Sequence, residues 1–168
     1  MLVRINGIEL IMSPINNRVT PSADVMTEIV RLAKPSDRAE EILMFESPEI
    51  ASEAADFLHR REVDYEKLEL LRISPMASAR FKAGALYADY AIHARSGNVY
   101  FDLHLVAAFQ ITATKPVAEP APALLQLEEH LIGTLSSAQG SVHLIDRQLA
   151  SLADRVVQAY GCAAAWEY

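Results

Sequence analysis

The sequence predicts an α+β protein: an N-terminal β-hairpin, short helices, a long antiparallel β-hairpin, and a C-terminal helical hairpin or coiled-coil helix. Three observations carry this expectation. Asn6-Gly7 and Ser96-Gly97 each sit between runs rich in apolar and β-branched residues. Amphipathic segments punctuated by proline lie between them. From Leu135 onward the apolar positions recur at the alternating spacing of a heptad seam.

The opening reads as Leu2-Val3-Arg4-Ile5, then Asn6-Gly7, then Ile8-Glu9-Leu10-Ile11. Asn-Gly tolerates the two positive φ values of a type I′ turn, so a hairpin is expected. Thr20-Pro21 then supplies an N-cap followed by proline at the first helical position, and Val25, Met26, Ile29, Val30 and Ala33 follow at helical spacing up to Pro35. Ser36 or Asp37 can cap a second helix through Ile42 and Phe45, with Asp37 and Glu40 at capping-box spacing. Ser47-Pro48 repeats the cap-plus-proline signal and opens a helix that buries Ile50, Ala54, Phe57 and Leu58, with Glu49, Glu53 and Asp56 outward. Tyr65 to Ile73 fits either a short helix capped by Asp64 or a strand.

The second hairpin is expected over 81–95 and 98–114, with Ser96-Gly97 as a two-residue loop. That register puts Leu86, Ala88, Tyr90, Ile92 and Ala94 on a core face with Val99, Phe101, Leu103 and Leu105. Lys115 to Pro122 is rich in proline and reads as an extended polyproline II spacer. The domain reading is therefore an α+β body over 1–115, a spacer over 116–122, a helical segment over 123–160 and a tail over 161–168. The seam of that segment runs through Leu135, Val142, Ile145, Leu149, Leu152 and Val156. These residues are the candidate interaction surface, because such a seam must bury itself against another helix of this chain or of a second copy. Gly140-Ser141 can end one helix and cap the next, folding the segment into a hairpin.

The chain has 168 residues, 51% hydrophobic and 22% charged, enough for one compact core. Its apolar stretches are broken by charge or proline well short of the roughly 20 residues of a membrane span. Met1 to Met12 carries Arg4 and Glu9 and lacks a small-residue cleavage site, so a cytoplasmic protein is expected. A single cysteine, Cys162, excludes an intramolecular disulfide and reads as a small packing residue. Residues 37–69 hold 11 of the 22 acids and 4 of the 15 bases, which accounts for the whole net charge of −7. That sign disfavours nucleic acid, whose affinity rests on clustered Lys and Arg. It suits a solvated helical face, or a surface that meets a basic partner.

No Gly-rich phosphate loop, His-Glu-x-x-His, calcium loop or Gly-x-Ser-x-Gly elbow is present, and no stretch resembles a known family closely enough to name one. One constellation could carry chemistry. On the outer face of the second hairpin, the expected register sets Asp89 opposite His104 and His93 opposite Tyr100, with Asp102 diagonal to His93. A carboxylate beside an imidazole fixes its tautomer and raises its basicity, so Asp89, His104 and His93 are candidate catalytic residues. Asp89, His93, Asp102 and His104 are equally candidate metal ligands. His59, His130 and His143 read as surface polar positions. The expected function is a non-enzymatic interaction or adaptor protein that self-associates or packs through its C-terminal helices and binds another macromolecule, a protein, without any cofactor. The alternative is a small enzyme or metal-binding protein with its site on the outer face of the 81–114 hairpin.

Overall fold

The structure is a computed structural model that describes residues 2–11, 23–74, 77, 80–138 and 140–167. It is α+β, but richer in strand than expected, and no C-terminal helical hairpin is present among the described residues. The chain divides into an N-terminal unit, Leu2–Arg72 with Ile92–Tyr100, and a C-terminal unit, Ile73–Ala91 with Phe101–Tyr168.

The N-terminal unit is built on a six-stranded sheet. Its strands are β1 (Leu2–Leu10), β2 (Asp37–Ala39), β3 (Ile42–Phe45), β4 (Tyr65–Ile73), β6 (Ile92–His93) and β7 (Val99–Asp102), in the order β2-β3-β1-β4-β7-β6. β1 runs straight through Asn6-Gly7, which overturns the expected first hairpin. The reason lies in a neighbouring strand. A Cβ on Gly7 would stand 2.8 Å from Leu70 Cδ1 and 3.1 Å from Leu68 Cβ, so this glycine serves a close approach inside the sheet.

Alternation along the strands sorts two cores. Ile8, Leu10, Leu43 and Phe45 face helices α1 (Ala23–Ala33) and α2 (Pro48–Arg60), meeting Ile29, Ala54, Ala55 and Leu58. Val3, Ile5, Ile42, Met44, Leu68 and Leu70 face the other way with Tyr100. α1 follows its predicted periodicity up to Ala33, although the Thr20-Pro21 cap lies outside the described residues. α2 begins as expected, since Ser47 Oγ accepts the Ile50 N–H and Pro48 occupies the first turn, where its missing N–H costs nothing. The helix expected over 37–45 is instead a hairpin of β2 and β3. Asp37 pairs with Met44 and Ala39 with Ile42, and Glu40 takes the positive φ of 46° that the tight reversal requires. Tyr65 to Ile73 resolves as strand.

The expected long hairpin is also corrected. Residues 81–95 hold β5 (Phe81–Ala83), a helical turn α3 (Tyr87–Tyr90) and β6, and only β6 pairs with β7. The loop is longer by one residue than a two-residue turn. Gly97 N–H donates to Ala94 O and Gly97 sits at φ 85°, which is a type I turn closed by a left-handed residue. Ile92 therefore pairs with Tyr100 and His93 with Val99, one position away from the expected register, and Tyr100 goes inside.

The C-terminal unit is a five-stranded antiparallel sheet, β11-β8-β10-β9-β5, from β8 (Val106–Ala113), β9 (Leu131–Ser137), β10 (Gly140–Asp146) and β11 (Cys162–Trp166) with β5. Helices α4 (Pro120–Leu127) and α5 (Ala150–Ala159) cover one face, burying Ala123, Leu127, Ala153 and Val157 against Ala107, Phe109 and Ile145.

The heptad seam is thus not a helix over most of its length. Leu135 lies on β9, Val142 and Ile145 on β10, and only Leu152 and Val156 on α5, with Leu149 in the 3-10 turn Arg147–Leu149 that precedes it. Gly140, at φ 130°, serves the β9–β10 reversal and not a helix cap. Residues 116–122 do not run as a polyproline II spacer: a turn at Lys115–Ala118 leads into α4, whose first turn holds Pro120. The expected tail contains β11.

Candidate functional site

Two of the four residues singled out on the second hairpin do come together, by a route other than cross-strand pairing. Asp89 on α3 and His104 in the turn between β7 and β8 line one cleft of about 500 Å³ in the C-terminal unit. Asp102, the last residue of β7, stands beside His104: its Oδ1 accepts the His104 N–H at 2.9 Å and lies 3.5 Å from His104 Nδ1. His93 belongs to β6 of the other unit and is not among the cleft's residues. No group of three His, Cys, Asp or Glu side chains is gathered as a metal would need among the described residues.

The end of β10 and the turn after it also line the cleft, through Asp146, Arg147 and Gln148. Asp146 caps that turn by accepting the Gln148 N–H at 2.8 Å, and its other carboxylate oxygen accepts the Tyr90 hydroxyl at 2.5 Å. The bond to Asp146, with burial second, pushes the Tyr90 hydroxyl up to about 12, so Tyr90 stays a neutral donor. Arg147, the residue after Asp146, ties its turn to the one that follows β7. Its Nε–H donates to Leu103 O at 2.7 Å and its Nη2 to Val106 O at 3.1 Å, while its own N–H donates to Leu105 O. Those bonds clamp the turn that presents His104, 59% exposed in its side chain, and Leu105, 54% exposed. The phenol, the guanidinium and one carboxylate of the cleft are therefore spent on fixing its shape.

Three other groups were not legible as sites. His143, expected at the surface, is 4% exposed on β10, between Phe109, with ring centroids 5.5 Å apart, and Thr134, whose Oγ1 lies 3.0 Å from His143 Nδ1. Burial pushes its imidazole down to about 4, so it is neutral. It belongs to a cross-strand row, Trp166, Phe109, His143, Thr134 and Lys82, that crosses the whole sheet. Asp37, read as a helix cap, instead accepts from Ser96 Oγ, Asn98 Nδ2 at 2.9 Å, Tyr100 Oη at 2.9 Å and the Arg38 N–H. Burial raises the Asp37 carboxyl, but these donors outweigh it and hold it below the ordinary carboxylate value. Cys162 is 2% exposed and packs in the C-terminal core.

The acidic charge of residues 37–69 lies outward, as on α2, where Glu49, Glu53 and Asp56 are exposed opposite buried Ala51, Ala54 and Leu58. Part of it is paired, through Arg72–Glu46 at 2.7 Å and Arg4–Glu69 at 3.6 Å. Among the described residues no helix is long and apolar enough to cross a membrane. No family model matches the chain, and no curated protein or solved structure matches it significantly.

Proposed function

We propose that this is a non-enzymatic binding protein whose contact site is the cleft beside α3. The observation that supports this reading is the pairing of Leu105, an exposed apolar side chain, with a rigid polar surround. Arg147 fixes the turn that carries Leu105, and the Tyr90–Asp146 bond ties α3 to the end of β10. Apolar anchors set among satisfied polar groups are what protein contact surfaces present. Catalysis asks for more. General-base chemistry is strongest where water is excluded, and His104 is open to solvent with its carboxylate partner at a long 3.5 Å.

Affinity capture from an extract of the native host tests the reading with three baits: the wild type, Leu105→Glu, and Leu125→Glu as a control on α4, where Leu125 is also exposed. Proteins retained by the wild type and the control but lost by Leu105→Glu are the expected outcome. Identical recovery by all three would remove the cleft from the account.

A further inference from the structure

Helices α1 and α2 pack side by side within the N-terminal unit and leave a groove of about 350 Å³ between them. Of the residues that line it, Ile29 and Ala54 are buried, Phe57 is half-buried and Leu32 is 52% exposed, so apolar surface runs from the core out to solvent. An ion pair ties the two helices nearby. Arg61 Nη2 donates to both carboxylate oxygens of Glu28, at 2.8 and 2.7 Å, and its guanidinium carbon stands 5.3 Å from the centre of the Phe57 ring.

The charge that lines the groove is not committed in this way. Glu53 and Asp56, three positions apart on α2, both line it and are exposed. Among the described residues their carboxylates take part in no hydrogen bond or ion pair. Arg60, one turn further on, also lines the groove and sits in the last turn of α2, where the helix dipole favours a cation.

We propose that this groove takes a basic amphipathic helix of another protein. An apolar side chain of that helix enters between Leu32 and Phe57, and Lys or Arg residues beside it pair with Glu53 and Asp56. Charge complementarity selects this occupant. Residues 37–69, which include α2, account for the whole net charge of −7. Nucleic acid, an anionic lipid surface and a second copy of this chain would each meet repulsion there, whereas a basic segment is drawn in. Arg60 at the end of the groove sets the direction, because it keeps the partner's cations toward Glu53. The surface belongs to the N-terminal unit and the proposal does not rest on the cleft beside α3.

Fluorescence anisotropy on the full chain tests this with a labelled synthetic helix that carries leucine on one face and lysine on the other, and with its counterpart in which glutamate replaces lysine. The wild type is compared with Leu32→Asp, with Glu53→Gln combined with Asp56→Asn, and with Glu41→Gln combined with Glu66→Gln. The last removes the same charge at exposed positions away from the groove. Circular dichroism checks that each variant folds. The wild type and the last variant should bind the lysine peptide alike, the two groove variants should lose about tenfold or more in affinity, and the glutamate peptide should not bind. A wild type that leaves the lysine peptide free or holds the glutamate peptide as well overturns the proposal. So do groove variants that bind as tightly as the wild type, and equal losses in the two double variants, which would make the attraction a matter of net charge. Should a groove variant not fold, NMR of the wild type titrated with the lysine peptide decides. Amide shifts centred on Leu32, Glu53 and Phe57 support the groove, and shifts centred elsewhere, on Leu105 and α3 included, reject it.

Discussion

The Tyr100 hydroxyl donates to Asp37 Oδ2 at 2.9 Å across 63 positions of sequence. Asp37 lies on β2, one outer strand of the six-stranded sheet, while Tyr100 lies on β7 beside the other outer strand. The same carboxylate takes Ser96 and Asn98 from the β6–β7 loop, and the Arg95 N–H donates to Arg38 O at 3.1 Å. The two edges of the sheet thereby meet, and the sheet curls into a nearly closed barrel around Ile5, Met44, Leu70 and Tyr100.

Asp37→Ala should therefore destabilise the protein by about 1–3 kcal/mol, the cost of stranding several donors, with Tyr100 the most deeply buried of them. Urea unfolding of the two proteins at neutral pH measures it. A change within experimental error would mean that the sheet closes without this carboxylate. Because the Asp37 pKa is lowered on folding, its contribution is complete above the ordinary carboxylate value of 3.8 and is lost as pH falls through the folded value.

His143 produces a second acid sensitivity, at higher pH. Its folded pKa of about 4 lies below the ordinary 6.5, so the unfolded chain binds the proton first. Stability is full above about 6.5 and declines as pH falls toward 4, by up to about 3 kcal/mol for a shift of this size. His143→Leu should flatten that part of the stability profile, and an unaltered slope between pH 6.5 and 4 would show that another group carries it.

Arg147→Lys should lose most of what the guanidinium contributes, about 1–3 kcal/mol, because a lysine cannot hold the Leu103 and Val106 carbonyls with one planar group. The signals of His104 and Leu105 should shift and broaden in NMR spectra while those of β11 stay in place. Unchanged His104 and Leu105 signals would show that the turn keeps its shape by itself.

Gly84→Ala should cost several kcal/mol, more than Gly7→Ala. A Cβ on Gly84 would overlap the Leu131 carbonyl oxygen, which is main chain and held in the sheet, whereas a Cβ on Gly7 meets the movable end of Leu70 first. Thermal unfolding of both variants gives the order directly, and equal losses would contradict it.

Local signals in the sequence suffice for the elements that close their contacts locally. α2 is announced by Ser47-Pro48 and by its alternation of acids with Ala54 and Leu58, and α1 by the spacing of Val25, Ile29 and Ala33. Of the candidate site, Asp89 and His104 share a cleft but are not cross-strand neighbours, because Asp89 lies on the helical turn α3 and His104 in the turn after β7. The pairing that does form, of β6 with β7, is offset at the turn. Gly97 lengthens the loop by one residue, and nothing between Arg95 and Asn98 distinguishes a two-residue loop from a three-residue one without its partner strand. Arg147 and Tyr90 left no trace in the sequence as cleft residues, because their roles depend on carbonyls and carboxylates far along the chain.

The sequence alone determined the acidic balance, the two N-terminal helices and the abundance of β-forming residues, since each depends on composition or on neighbours within a few positions. Tertiary structure decided the rest. A helix closes its hydrogen bonds within four residues, whereas a strand needs a partner that the local sequence does not name. Leu135, Val142 and Ile145 fit a helical seam by spacing alone, but Thr134, Val142 and Ile145 also favour strand, and β8 offers β10 a ladder from His143 opposite Phe109 to Asp146 opposite Val106. Gly7 likewise suits a turn until the side chains of Leu68 and Leu70 on another strand fill the space where its Cβ would be.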